Sequence, residues 1–372
     1  MSGGAHTGSI LTIDLDAVAA NYQTLRKISG SAEVACVVKA NAYGLGVDLV
    51  APLIKKKKCR TFFVANIAEA YELRSLIPSA EIHVLDGLMG QPPERFIARN
   101  LRPVLNTPEE IETWRSISAE SDRPLPADIQ IDTGMARLGL TADEAETLLA
   151  RPDWNREMVI DCLISHLACA EEPGNPKNAA QRGAFAKSMP RFEARRASLS
   201  ASSGMFLGED FHFDLTRAGV ALYGVNPTPD TANPMAQVIQ IQGEILQVRF
   251  VDTPQTVGYG ATHRVTRPSK IATIPIGYAD GYPRSLGNAG IAVIGGHKVP
   301  VVGRVSMDLT TVDVTDVPDE LARPGVLVDL LGPGNDLDDT AARAGTIGYE
   351  ILTRLGSRFE RRYIVDGNVG SA

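Results

Sequence analysis

The chain has 372 residues, 44% of them hydrophobic and 22% charged, with a formal net charge of -7. This length suits two domains, or one large domain with an appendage, and the acidic balance excludes nucleic acid as the main partner because phosphate contacts need a basic face. No apolar run approaches the ~20 residues that span a bilayer, and the Gly/Ser-rich stretch from Met1 to Ser9 lacks the apolar segment of a secretory signal.

In chain order, Ser9–Asp14 alternates like a strand and is free to pair with the β-rich end of the chain. The apolar run Val34–Val38 predicts a core strand that ends at Lys39, followed by Ala40-Asn41-Ala42-Tyr43-Gly44-Leu45-Gly46. A lysine there costs desolvation energy unless it is paired or does chemistry. Burial lowers its pKa and frees the amine to attack a carbonyl, and the glycines suit a tight turn against a ligand. The plain alternative is a lysine that snorkels to solvent. The block Lys55–Lys58 reads as a solvated helix end.

Further strands are predicted at Thr61–Val64, Ile82–Leu85, Pro103–Leu105, Asp128–Ile131, Val159–Ser165, Ser198–Ala201 and Phe213–Leu215. Helical stretches lie between most of them, such as Thr107–Ser118 and Asn178–Ala194. Thr107 ahead of Pro108-Glu109-Glu110 has the pattern of an N-cap, a first-turn proline and first-turn acids. Eight alternating units indicate an α/β region folded as an N-terminal (β/α)8 TIM-like barrel.

From about residue 237 the texture is mainly β. Val238–Phe250, Lys270–Ile276, Ile291–Val302 and Leu309–Val314 read as strands, and Thr340–Ala344 and Ile347–Leu355 as helices. Asn226–Pro234 reads as a linker. The expected division is a barrel over 12–230 and a C-terminal mainly β domain made of 1–11 plus 231–372. Cys36, Cys59, Cys162 and Cys169 have no metal spacing, and the six histidines show no ligand-type pairing, so no metal is expected and a reducing, cytoplasmic setting fits.

A barrel presents its chemistry at the C-terminal ends of its strands. Lys39 ends the first predicted strand, Asp132–Arg137 follows the fifth and His166 ends the sixth. Ser202-Ser203-Gly204 follows the seventh, and Arg217 lies just past the eighth. Each alone also reads as a satisfied structural group; their recurrence on one face is the signal.

The motifs VVKANAYGLG, DTGMARLG, SHLACAEE, TRAGVALYG, VGYGATH, PIGYADGYPR, GRVSMDLT and IGYEILTRLGSR span essentially the whole chain, and together they resemble the alanine racemases. The resemblance implies a barrel, a β-rich C-terminal domain, pyridoxal 5'-phosphate as cofactor and a homodimer with active sites completed by the partner subunit. The expected reaction interconverts L-alanine and D-alanine and supplies peptidoglycan synthesis. Lys39 is implied as the Schiff-base lysine and one catalytic base, and Tyr259 as the second base, reaching in from the partner. Arg217 is implied as the partner of the pyridine nitrogen, with His166 orienting it.

Tyr43, Ser203, Gly204, Gly219 and Tyr349 are implied as phosphate ligands, and Val220 as a further cofactor-binding residue. Arg137 and the backbone of Met307 are implied as the clamp on the substrate carboxylate, with Tyr278 at the entrance and Asp308 beside it. Four positions depart from the family pattern. Ser202 replaces asparagine, Ala218 replaces proline and Ser306 replaces cysteine. Gln130 stands where many members carry a lysine, often carbamylated, that steadies the carboxylate-binding arginine; a bound chloride is one substitute for that charge. A decarboxylase on the same scaffold, a racemase for larger amino acids and a non-enzymatic pyridoxal-phosphate carrier are the alternatives. Arg217 argues against the first and the C-terminal domain against the last.

Overall fold

The computed structural model describes residues 7–371, so part of the stretch read for a secretory signal lies outside the described residues. The chain divides into two compact units, Ala19–Met235 and the residues up to Val18 together with those from Ala236 onward.

Strand β1 (Ser9–Asp14) and helix α1 (Leu15–Ile28) open the chain. The first unit then builds eight parallel strands. These are β2 (Glu33–Val37), β3 (Thr61–Val64), β4 (Glu81–Val84), β5 (Leu101–Leu105), β6 (Leu125–Gln130), β7 (Met158–Ile164), β8 (Arg196–Ser198) and β9 (Leu215–Ala218). They hydrogen-bond in the order β8-β7-β6-β5-β4-β3-β2-β9, and a parallel bridge between Ala201 and Arg217 closes the ring. Helices α2 (Val47–Lys56), α3 (Ile67–Leu76), α4 (Glu94–Ile97), α5 (Pro108–Ala119), α6 (Ala142–Leu149) and α7 (Pro176–Phe192) connect them. The caps follow the local chemistry. Thr107 accepts from the Glu110 N–H with Pro108 in the first turn, and Thr141 with Glu144 forms a reciprocal capping box. This is the expected TIM-like barrel.

The N-terminal end of the barrel interior is ionic. Arg196 pairs with Glu33, Glu81 and Asp161, and Arg102 pairs with Glu81 and Asp161. His83 lies between Asp128 and Glu81. Glu81, His83 and Asp161 come close enough to form a metal-like cluster, which no sequence spacing announces, but guanidinium groups already occupy these carboxylates. A buried network of this kind costs little only when every charge is paired.

The second unit is mainly β, as expected. One sheet has the order β16-β15-β18-β10-β1-β19-β20, with β10 (Ile239–Glu244), β15 (Ile291–Ile294), β16 (His297–Pro300), β18 (Leu327–Leu331), β19 (Glu360–Val365) and β20 (Asn368–Ser371). β1 pairs antiparallel with β10 and parallel with β19. A smaller sheet has the order β11-β14-β17, from β11 (Gln247–Val251), β14 (Ser269–Ile274) and β17 (Thr310–Asp313), and β12 (Thr256–Val257) pairs with β13 (His263–Arg264). Helices α8 (Leu337–Ala344) and α9 (Gly348–Arg354) follow. Among the described residues no helix is long and apolar enough to cross a membrane.

Candidate active site

β2 stops at Val37, and half-buried Lys39 follows two residues later. Ala40, Asn41, Ala42 and Tyr43 then all adopt left-handed backbone, with φ of 53, 55, 52 and 56°. Such geometry costs about 1–2 kcal/mol per non-glycine residue, so four in a row persist only if the surroundings impose them. The Ala42 N–H donates to Val38 O at 2.9 Å and the Gly44 N–H to Ala40 O at 2.8 Å. Asn41 Oδ1 accepts from the Val47 N–H at 2.8 Å. Glu69 on α3 accepts the Ala40 N–H with one oxygen and the Ala65 N–H with the other, both at 2.8 Å. The Tyr43 ring lies 4.7 Å from that of Tyr223, whose hydroxyl donates to Val37 O at 3.0 Å. A glycine-built turn is therefore not what shapes this segment: Gly44 and Gly46 come only after the left-handed run. Burial lowers the pKa of Lys39. Arg137 and Arg217 push the same way, while Asp86 and Glu69 oppose them.

Arg217 is not past the last strand. It lies within β9, in register with Ala35, and is 4% exposed. Its Nη1 donates to Ser198 O at 2.9 Å and Ser198 Oγ at 2.6 Å. Its Nη2 reaches Ser165 O at 2.7 Å, Leu199 O at 3.3 Å and His166 Nδ1 at 3.3 Å. Nε–H takes no partner among the described residues. Guanidinium only donates, so His166 Nδ1 accepts and the imidazole proton sits on Nε2. Burial, then Arg217, Arg137 and Lys39, bring His166 down to about 3, so the ring is neutral at physiological pH. Burial brings Arg217 down to about 10, which leaves it charged.

Ser203 and Gly204 are buried at the start of a 3-10 turn, Ser203–Phe206. A Cβ on Gly204 would stand 2.8 Å from Ser200 Oγ. Gly219 precedes a second 3-10 turn, Val220–Tyr223, and a Cβ there would stand 2.7 Å from Tyr43 Oη. Ser202 Oγ accepts the N–H groups of Gly219 at 3.0 Å and Ala221 at 3.2 Å. The serine that departs from the family pattern thus ties the two turns together, and Gly219 contributes by leaving room opposite Tyr43. Ala218 is fully buried in β9.

Arg137 is exposed on the loop after β6. Asp132 Oδ1 gathers the N–H groups of Gly134 and Met135 at 2.8 Å and of Ala136 at 3.1 Å. Burial works against that carboxylate, but these bonds outweigh it and hold its pKa low. Gln130 Nε2 donates to Leu138 O at 3.1 Å. It therefore steadies the main chain beside Arg137 and makes no bond to the guanidinium.

The remaining predicted residues lie in the second unit. Tyr259 is 73% exposed between Gly258 and Gly260, whose φ values are 74 and 70°. This turn rests on Gly303 and Arg304. Further along the chain, the Tyr278 N–H donates to Ser306 O and the Ala279 N–H to Met307 O, both at 3.0 Å. A side chain on Gly277 would overlap both carbonyls. Ser306 Oγ donates to Leu309 O at 2.8 Å and accepts the Leu309 N–H at 3.1 Å, closing the turn that exposes Met307 and Asp308. Arg358 bridges Asp308 at 2.7 Å and Asp280 at 2.6 Å. Tyr349 is half-buried on α9.

Sequence reasoning missed Glu69 and Ser198 as supports of Lys39 and Arg217. Asn66 three residues before Glu69 is a capping-box signal. Asn66 does cap α3, but Glu69 turns away from the usual return bond and bridges two strand ends.

A parallel barrel that gathers an amine, a buried guanidinium and a hydroxyl-lined pair of turns at its C-terminal strand ends has the form of a barrel enzyme. The alanine racemase N-terminal domain matches residues 13–227, and the alanine racemase C-terminal domain matches residues 238–363. The alanine racemase of Rhodospirillum rubrum is 51% identical over 357 residues, covering 95% of this chain and 96% of that protein. That of Acidiphilium cryptum is 51% identical over 351 residues, covering 94% and 97%. A crystal structure of alanine racemase from Bartonella henselae with covalently bound pyridoxal phosphate superposes with a TM-score of 0.92 at 41% identity, covering 96% of this chain and 99% of that one. The chain belongs to the alanine racemase family.

Proposed function

We propose that the protein is a pyridoxal-phosphate-dependent enzyme that interconverts L-alanine and D-alanine with two bases, Lys39 and Tyr259. The observation that carries this reading is Lys39 at the head of a clamped left-handed turn, with its amine pKa lowered by burial and by the charges of Arg137 and Arg217. The side chains fit the cofactor by donor chemistry. A pyridine nitrogen and phosphate oxygens are acceptors, and this end of the barrel offers the Arg217 Nε–H, the Ser203 hydroxyl and the first N–H groups of two short turns. Lys39 would attach the cofactor and Arg217 would take its ring nitrogen. Tyr43, Ser203, Gly204, Val220 and Tyr349 would hold its phosphate, with Gly219 leaving the space. When bound, the cofactor supplies an electron sink that acidifies the α-hydrogen of an attached amino acid.

Inverting a stereocentre needs a proton removed on one face and delivered on the other. Lys39 serves one face through an amine that burial has made easier to deprotonate. Tyr259 serves the other, from the partner subunit of a homodimer. Arg217 donates and never accepts, so it leaves the ring nitrogen unprotonated and moderates the sink, which limits side reactions. His166, neutral, orients Arg217 without adding charge. Arg137 and the Met307 backbone hold the substrate carboxylate, while Tyr278 and Asp308, the latter fixed by Arg358, line a small entrance suited to a methyl side chain. In this reading the enzyme works in the cytoplasm and feeds peptidoglycan synthesis.

Exchange of the α-hydrogen in deuterated water tests the two-base assignment. Tyr259→Phe should slow exchange from L-alanine by about 100-fold or more and largely spare exchange from D-alanine. Equal, mild losses with both enantiomers would remove Tyr259 from the mechanism.

A further inference from the structure

The N-terminal end of the barrel holds a cavity of about 600 Å³ that none of the groups above uses. It lies between the loop joining α1 to β2 and the loop joining α2 to β3. Lys39 follows the far end of β2, so at about 3.3 Å per residue the cavity is roughly 20 Å from the candidate active site.

Four cations face this space: Arg26 and Lys27 from the last turn of α1, Lys58 after α2, and Arg60 just before β3. None of them forms an ion pair with a carboxylate among the described residues. Carboxylates are not scarce, since the chain has 44 acidic residues against 37 lysines and arginines. At the same end of the barrel Arg102 and Arg196 each form ion pairs with Glu81 and Asp161. The helix dipole of α1 favours Arg26 and Lys27, and Arg26 also lies 6.0 Å over the Tyr22 ring. Neither influence accounts for Arg60, which belongs to no helix, or for Lys58, which sits beyond the helix end at φ 74°. Glu33 is the one acid in the wall, and it is already committed to Thr61 at 2.7 Å and to Arg196 at 3.4 Å.

The lining is rich in donors. Lysine and arginine have no acceptor atoms, so their complement is a ligand made of acceptors, and guanidinium forks match phosphate oxygens. The volume falls in the range of small-molecule sites. Four cations exceed what a single small anion needs and suit three or four linked negative charges. We propose that this cavity binds an oligophosphate, either free inorganic chains or the phosphate chain of a nucleotide.

Titration calorimetry on the cofactor-loaded full-length protein, with sodium triphosphate and separately with adenosine triphosphate, tests the site. Loaded protein is used so that the phosphate-binding groups proposed for the active site are occupied and closed to the probe. Binding should be seen at low salt, weaken as salt rises, and fall at least tenfold in Lys58→Glu/Arg60→Glu with racemisation unchanged. Arg26→Gln/Lys27→Gln should show the same loss with a milder change at the surface. Equal affinity for the two probes supports an inorganic chain as sufficient, and tighter binding of adenosine triphosphate supports a nucleotide. No binding of either probe at millimolar concentration, or unchanged affinity in both variants, overturns the proposal.

Discussion

The Glu69 carboxylate accepts the backbone N–H of Ala40 at 2.8 Å, one residue beyond Lys39. Its other oxygen holds the Ala65 N–H at the same distance, so one side chain ties together the ends of β2 and β3. Four left-handed residues follow Lys39, and this clamp acts on the first of them. Position and strain at the amine are therefore set by a residue on a neighbouring helix.

Glu69→Ala should release that turn. Hydrogen bonds to a charged group contribute about 1.5–3 kcal/mol, so denaturant unfolding should show a loss of about 2 kcal/mol and kcat should fall by tenfold or more. Glu69→Gln keeps one acceptor and should fall between. A variant as active as the parent protein would show that the turn holds without the clamp.

Much of the barrel is readable from sequence because parallel strands buried on both faces leave short apolar runs, as at Val34–Val38 and Thr61–Val64. The left-handed turn is not readable. Ala40, Ala42 and Tyr43 have no preference for positive φ, and the groups that force it, Glu69 and Tyr223, are distant in sequence. Arg217 reads as lying past its strand because a charged residue looks like a strand end, whereas carbonyls from β7 and β8 segments offset its cost inside the barrel. In the second unit Val238–Phe250 reads as one strand but breaks at Ile245 and Leu246 into β10 and β11, which join different sheets. Ile291–Val302 is a hairpin turned by Gly295-Gly296, both at positive φ, a two-residue turn signal that hydrophobic continuity obscured.

His166 gives a pH dependence with a definite sign. Its folded pKa, about 3, lies below the 6.5 of a free histidine. Between these values the unfolded chain binds a proton that the folded chain does not, so stability rises with pH through this window. The contribution is complete above pH 6.5 and is lost by up to about 1.4 kcal/mol per unit as pH falls toward 3. Urea unfolding at pH 7 and pH 5 should show a smaller loss in His166→Asn than in the parent protein. Equal losses would mean the ring is protonated in the folded state.

Ser202→Ala removes the acceptor shared by the Gly219 and Ala221 N–H groups. If these turns hold the cofactor phosphate, the dissociation constant for pyridoxal phosphate should rise about tenfold, while that for pyridoxal, which lacks the phosphate, should stay unchanged. Absorbance titration of both compounds checks this. Parallel weakening of both would place the effect elsewhere in the barrel.

Lys39→Ala should abolish covalent retention of pyridoxal phosphate and racemisation together. Mass spectrometry after borohydride reduction reads the first and a D-alanine assay the second. Full activity in this variant would sink the assignment of Lys39.

The most direct measurement is incubation of the pyridoxal-phosphate-loaded protein with L-alanine, following D-alanine and carbon dioxide together. D-alanine approaching parity with L-alanine, without carbon dioxide, is the expected result. Release of carbon dioxide, or no D-alanine from protein with its cofactor demonstrably bound at Lys39, would contradict the racemase reading.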